Sequence, residues 1–396
     1  MKRVLLLNNI PAPYFTPLFE QVAEDSGWDL TVAYNSSWNS SAGWASGAPE
    51  TSSRHETIIL DRQRPRLTST IGSNNSAAIA LADHLIRNKP DYLICYGYTQ
   101  APQALAIEWA NVTSTPFAIS GDANCYLDTL TGVKRIAKTS WLRHVVRSAA
   151  ALITIGSANR LFWESYGATP EQLFEARFAV DNDFYSEKVV ECRPEAVELR
   201  RRLGLNDGVV FLSVGRLVQR KGIDLMIRAA RSMPGEAIGV VVAGDGEERA
   251  TLEAIAEGDN RIVFAGRVSP GELPVYYAMA DVLVLAAQSE PWGLVINEAM
   301  ASGLAIIAHR HCGATLDLVG PDNGVVLEGL SERELAGGMQ FVASDLDRLS
   351  RMKIRSQEKI AGWSIAGAAR GIVRAVEESS RPGAARTLAS GLERSK

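Results

Sequence analysis

The sequence has no long apolar run, no excess of charge of either sign and no paired cysteine spacing. Each absence closes a class of function. Without some 18 consecutive apolar residues, no segment is expected to cross a bilayer as a helix. Lys and Arg number 41 against 45 Asp and Glu, a net charge of -4, which leaves no broad basic face to neutralise nucleic-acid phosphates. Cys95, Cys125, Cys192 and Cys312 stand far apart. That spacing argues against a zinc framework and for reduced, structural thiols of a cytoplasmic protein. The opening "MKRVLLLNNIPAPYF" has too short an apolar stretch for a signal peptide and reads as a first β-strand. The sequons at Asn35, Asn39 and Asn111 then carry no meaning.

What is present is a repeated alternation. At 396 residues and 46% hydrophobic, the chain can fill two cores. Strand-like runs occur at 4–7, 30–34, 57–60, 92–95, 117–120 and 151–155, with helical segments between several of them at 17–25, 77–88, 101–110 and 133–149. After the stretch 178–195 the pattern restarts, with runs at 209–214, 238–243, 261–265, 282–286, 305–308 and 324–327. Continuous apolar strands separated by helices imply βαβ units and parallel sheets covered on both faces. The reading is α/β, two doubly wound domains, 1–185 and 186–365, followed by a terminal segment 366–396. The Ser, Gly and Asn-rich stretch 35–54, which contains Trp38 and Trp44, reads as a long loop, and the chain beyond about Ser380 as a frayed tail.

In open parallel sheets ligands gather at the carboxyl ends of the strands. In the second series those ends carry Gly215-Arg216, Arg220-Lys221-Gly222, Gly244-Asp245-Gly246, Gly266-Arg267-Val268, "QSEPWGLVINEAMASG" (288–303) and His309-Arg310-His311-Cys312-Gly313. Glycines allow close backbone approach and free N–H groups for phosphate oxygens. A helix opening at Gly293 adds partial positive charge. Arg216 and Lys221 offer a fork and a point charge for a diphosphate. Glu290 and Glu298, with seven residues between them in otherwise apolar surroundings, are wrong for phosphate but right for sugar hydroxyls.

These motifs, "VGRLVQRKGIDLMIRAA", "VVAGDGEERATLE" and "FAGRVSPGELPVYYAMADVLVLAAQSEPWGLVINEAMASGLAIIA", resemble the donor domain of retaining GT-B glycosyltransferases of family 4. The first half resembles the family more loosely, through "NNIPAPYFTPLFEQVAED". The resemblance implies a GT-B fold, two Rossmann-like domains facing across a cleft, with the final helix crossing back to the first. It implies Glu298 on the nucleotide ribose, and Glu290 on the donor sugar with help from backbone N–H groups of Trp292, Gly293 and Leu294. Arg216 and Lys221 would hold the diphosphate, with Gly215, Gly244 and Gly246 at the same edge and Gly266, Arg267 and Val268 near the base. Asp122, in "ISGDAN" of the first half, would touch the sugar. The implied activity is metal-independent hexosyl transfer from a nucleotide-diphosphate sugar, a co-substrate, to a carbohydrate or lipid-linked acceptor in polysaccharide or glycoconjugate synthesis. No other cofactor is implied.

Competing readings are weaker. His309 and His311 beside Cys312 fit alternation on an extended loop better than a metal site. The Asp-x-Asp triplets 181–183 and 345–347 fall outside the strand-end loops and read as structural. The basic segment 134–148, with Trp141, Leu142 and Val145, is a solvated helix or else a peripheral contact with anionic lipid. A nicotinamide-dependent dehydrogenase would want Gly-x-Gly-x-x-Gly after the first strand, where "NNIPAP" stands. An epimerase, hydrolase or nucleotide-sugar-binding protein of the same fold stays open.

Overall fold

The computed structural model describes residues 1–36, 52, 54–61, 70–127, 130–205, 208–233, 235 and 237–381. Trp38, Trp44 and the tail from 382 lie outside the described residues. Two compact units emerge, Met1–Phe178 with Ile365–Lys396, and Ala179–Ser364. The first contains β1 (Arg3–Asn8), α1 (Thr16–Ser26), β2 (Asp29–Ser36), β3 (Glu56–Asp61), α2 (Thr70–Asn88), β4 (Tyr92–Tyr96), α3 (Ala101–Thr113), β5 (Phe117–Ser120), α4 (Gly132–Ser148), β6 (Ala151–Thr154), α5 (Ser157–Ser165) and β7 (Leu173–Glu175). Its strands form one parallel sheet in the order β3-β2-β1-β4-β5-β6-β7.

The second unit begins with α6 (Asn182–Glu191) and α7 (Arg193–Arg202). It continues through β8 (Val209–Val214), α8 (Ile223–Arg231), β9 (Ile238–Ala243), α9 (Arg249–Ala256), β10 (Ile262–Gly266), α10 (Leu273–Met279), β11 (Val282–Leu285), α11 (Leu294–Ala301), β12 (Ala305–His309), α12 (Thr315–Leu318), β13 (Gly324–Leu327), α13 (Glu332–Ala343) and α14 (Leu346–Ile360). The parallel sheet has the order β10-β9-β8-β11-β12-β13. This is the doubly wound 3-2-1-4-5-6 arrangement, whose connections reverse direction between the first and fourth strands, here β8 and β11. Every residue of β9 and β11 is buried, as expected of strands covered by helices on both sides. Helix α8 shows how the cover forms: Ile223, Met226, Ile227 and Ala230 turn inward at helical spacing, while Arg228 and Arg231 stay on the outer face.

The division between units falls at Phe178, earlier than the boundary at 185 expected from the sequence. The stretch 178–195, read there as a joint, is largely helical. Asp181 caps α6 by accepting from the Phe184 N–H. Asn182 donates to the carbonyls of Ile360 and Trp363, and Tyr185 meets the Tyr277 ring edge-on at 5.9 Å. Those contacts tie α6 to the second unit. The other acidic triplet is also a cap, with Asp345 accepting from Arg348 N–H at the start of α14.

The last helix, α15 (Ile365–Ser379), packs in the first unit beside α1. Ala368, Ala369, Ile372, Ala375 and Val376 share a buried cluster with Leu18, Phe19 and Val22 of α1 and with Ile94 and Ile153 of the sheet. The opposite face of that sheet is covered by Leu81, Ile107 and Leu142 from α2, α3 and α4. Leu142 and Val145 of the basic helix are therefore core residues, and the Trp141 indole donates to the Tyr98 carbonyl at 3.0 Å. Of its large apolar side chains α4 leaves Val133 and Ile136 exposed, both at its start beside the exposed Lys134 and Arg135. Among the described residues no helix is long and apolar enough to cross a membrane.

Candidate donor site in the second unit

Because the sheet is parallel, the loops after its strands all leave from one edge, and backbone bonds knit them together. Gly215 N–H donates to Ala243 O, Gly244 N–H to Gly266 O and Leu217 N–H to Asp245 O. Across the topological reversal, Gln288 N–H donates to Arg220 O, and Glu290 exchanges backbone bonds with His311 and Gly313. Glycine is obligatory at Gly244: a Cβ there would stand 1.8 Å from the Gly215 carbonyl oxygen. Asp245 folds back to accept from the Gly246 N–H at 2.9 Å, so the Gly-Asp-Gly triplet is a tight turn as well as part of the edge.

Glu290 is the focus of charge. Its Oε2 accepts from Lys221 Nζ at 2.8 Å and from Arg220 Nη1 at 3.0 Å. The Lys221 and Glu290 side chains retain only 14% and 15% exposure, so solvent screens their pairing weakly, whereas Arg220 at 52% reaches in from water. A short 3₁₀ turn over Gln219–Lys221 places both cations. Arg220 was not assigned a role from the sequence, and the structure puts it on Glu290. Arg216 is exposed on the loop after β8, and Arg267 and Val268 follow β10 on the same edge.

Three residues past Glu290 the backbone turns at Gly293 with φ +97°, a left-handed conformation that glycine adopts readily, and α11 starts at Leu294. The positive end of its dipole lies at this edge. The Trp292 side chain does not: it is buried against Trp363 at 5.2 Å and donates to Asn297 Oδ1 at 2.9 Å. The Trp292 indole is therefore a core group, and its carbonyl accepts from the Ala314 N–H at 2.9 Å.

Glu298, one turn into α11, is held from behind. Tyr277 Oη donates to its Oε2 at 2.6 Å, and the Tyr185 hydroxyl donates to the same carboxylate. Burial pushes the Glu298 carboxyl up to about 7, and the two hydroxyls pull against that rise. The residue as a whole is half-buried, while its carboxyl is enclosed with the two tyrosine hydroxyls. Neither tyrosine was singled out from the sequence. His309 is buried with its Nδ1 2.8 Å from the Ala287 carbonyl. Burial raises the Cys312 thiol to about 12, making it an inert core group.

Asp122 belongs to the first unit. It stands on the rim of a cavity of about 240 Å³ at the carboxyl edge of that sheet, together with Asn8, Asn9 and Tyr14. Burial, with the Asp122 charge adding to it, raises the Tyr14 hydroxyl to about 12. Asn9 is fixed by a polar network in which its Oδ1 accepts from Gln103 Nε2 at 2.8 Å and Asn35 Nδ2 at 3.2 Å.

Two Rossmann-like parallel-sheet domains, the second with a glycine-rich, doubly charged edge at its switch point, define the GT-B architecture. Solved structures share it: Anabaena Alr3699/HepE in complex with UDP (TM-score 0.71, 18% identity, 96% of this chain and 100% of that one). Sucrose-phosphate synthase of Thermosynechococcus elongatus gives TM-score 0.77 at 16% identity over 95% and 99% of the two chains. Residues 197–359 match the family described as glycosyl transferases group 1.

Similar curated proteins include alpha-D-kanosaminyltransferase of Streptomyces kanamyceticus, 28% identical over 53% of this chain and 55% of that protein. D-inositol 3-phosphate glycosyltransferase of Acidothermus cellulolyticus is 31% identical over 49% and 46%. A GDP-mannose-dependent alpha-(1-6)-phosphatidylinositol monomannoside mannosyltransferase of Mycolicibacterium smegmatis is 31% identical over 41% and 46%. The chain thus spans about half the length of the curated relatives it matches.

Proposed function

We propose that this protein transfers a hexosyl group, with retention of anomeric configuration, from a nucleotide-diphosphate sugar to a hydroxyl-bearing acceptor. The observation that carries the reading is the Lys221–Glu290–Arg220 cluster at the switch point, with the tyrosine-held Glu298 a helical turn beyond. Cations beside a strand edge suit a diphosphate. Carboxylates on either side of them suit the sugar and the ribose, whose hydroxyls donate to them. The names of the similar proteins, which include UDP and GDP-mannose among their ligands and substrates, support a nucleotide-sugar donor.

In this reading the donor diphosphate lies against the glycine turns at Gly215, Gly244 and Gly246, with Arg267 and Val268 toward the base. As the glycosidic bond to phosphate breaks, negative charge grows on the leaving diphosphate. Lys221 and Arg216, joined by Arg220 and the N–H groups at Gly293 and Leu294, stabilise it in place. Oxocarbenium character grows on the sugar, and Glu290 holds its hydroxyls while sharing Lys221 with the phosphate. The acceptor hydroxyl attacks from the face the diphosphate leaves, and a phosphate oxygen takes its proton. Asp122 is assigned to a sugar hydroxyl at the rim of the first unit's cavity. No metal takes part, since protein cations supply the charge.

A lipid-linked acceptor would bring a membrane to the exposed start of α4, where Val133 and Ile136 lie among lysines and arginine. Binding to vesicles of anionic phospholipid, absent with neutral ones and lost in Lys134→Glu/Arg135→Glu, tests that placement. The main test is a panel of nucleotide sugars incubated with simple glycosides, with nucleotide release and glycoside product both measured. Release without product in every case favours a hydrolase, and no release at all rejects the reading.

A further inference from the structure

The cavity of the first unit is not only a notch in the sheet edge. It runs inward between the sheet and helices α1 and α15, where Leu18, Ile153, Ala368 and Ile372 line it, and each of these belongs to the buried core. Protein interiors are packed to the density of organic crystals, and voids larger than a water molecule are few. The space is about 240 Å³, open at a polar mouth and walled on its inner side by core residues. It exceeds the roughly 150 Å³ apolar cavity that stays dry and accepts benzene. At the mouth the chemistry changes. Asn8 is 3% exposed, it lines the cavity, and its Nδ2 has no hydrogen-bond partner among the described residues. An unpaired buried amide donor is unfavourable by about 1–3 kcal/mol, so a ligand oxygen there would be stabilising. The neighbouring Asn9 amide is already oriented by Gln103 and Asn35.

We propose that this cavity is an acceptor subsite for a ring-sized apolar group, aryl or alicyclic, attached to a hydroxyl-bearing head. The apolar ring enters between Leu18, Ile153, Ala368 and Ile372. An oxygen at its junction with the head accepts from Asn8 Nδ2. The acceptor is then amphipathic rather than a bare sugar. The inference deepens the transferase reading and rests on it for the word acceptor, but the binding it describes needs no donor.

The test is therefore binding in the absence of nucleotide. The full chain is titrated with 4-fluorophenyl glucoside, followed by fluorine NMR, and with methyl glucoside in competition. The aryl glucoside is expected to bind at least tenfold more tightly, the gain from burying one ring. Ala368→Leu, which fills the inner cavity, should erase that preference. Asn8→Ala, at the mouth and outside the helix packing, should weaken both glucosides several-fold while keeping their ratio. UDP affinity, measured in parallel on each variant, should not move. Equal affinity for the two glucosides, no binding of either, or an aryl preference that survives Ala368→Leu would overturn the proposal. If Ala368→Leu does not fold, an unchanged affinity in Asn8→Ala overturns it. Loss of nucleotide binding in the wild type with the aryl preference intact would instead reject the transferase reading and leave the cavity assignment standing.

Discussion

Replacing Glu298 by glutamine separates what this residue does for the fold from what it does for a ligand. Its carboxyl stands at about 7 instead of the ordinary 4.5, with burial as the main cause and the Tyr277 and Tyr185 hydroxyls opposing it. A group raised in the folded state contributes stability that is fully present below its unfolded value and is lost as pH rises through the folded value. For Glu298 the window runs from 4.5 to about 7, and across it the folded state loses roughly 3 kcal/mol. Glu298→Gln keeps the shape and an acceptor for Tyr277 but has no charge to desolvate. The variant should therefore be more stable than the wild type at pH 8 by up to roughly 3 kcal/mol, a melting temperature higher by several degrees. The gap should close by pH 4.5. Nucleotide affinity should move the other way and fall about 10- to 100-fold at pH 8, because hydroxyls lose a charged acceptor. Thermal unfolding of both proteins from pH 4.5 to 8, with nucleotide titration at pH 8, reads both effects. A wild type no less stable at pH 8 than its variant would show that the carboxyl is not desolvated. A variant that gains stability and keeps its nucleotide affinity would remove Glu298 from the donor site.

Lys221→Ala should lower turnover by about 100-fold or more with the protein still folded, since it removes a charge aimed at the leaving group. Arg220→Ala, whose side chain is half exposed, should lose much less, and steady-state kinetics on the pair would expose a reversed order. Gly244→Ala should destabilise the second unit by about 3 kcal/mol or more, because its Cβ would meet the Gly215 oxygen at 1.8 Å, and circular dichroism melts would register it. Turnover should be unchanged in EDTA, and restoration of lost activity by added magnesium or manganese would contradict the charge assignment to lysine and arginine.

Much of the fold was legible because parallel strands announce themselves. "VVFLSV", "IGVVVA" and "VLVLA" are apolar but for Ser213, and each forms a strand of the second sheet. The three-residue β7 is too short to show any period, and its pairing with β6 comes from tertiary context. Helix α6 buries none of its side chains fully, so it has no apolar stripe, and only the Asp181 cap marks its start. At the site, Glu290 and Glu298 stood out because carboxylates are rare in such apolar surroundings. Arg220 did not, since the sequence alone gives no reason to prefer it to Arg216 on the same loop. Tyr277 and Tyr185 lie in separate helices, and nothing in either segment shows that both hydroxyls converge on one carboxylate. The expected role of Trp292 rests on its backbone N–H alone, and nothing in the loop sequence shows that its indole packs against Trp363 as part of the core.

The central claim, retaining transfer from a nucleotide sugar, is tested most directly by proton NMR of a glycoside product formed from a donor of known anomeric configuration. The account predicts a product with the donor's configuration at the anomeric carbon, formed by the wild type and lost in Lys221→Ala. A product of inverted configuration, or free sugar alone from every donor tried, would contradict it.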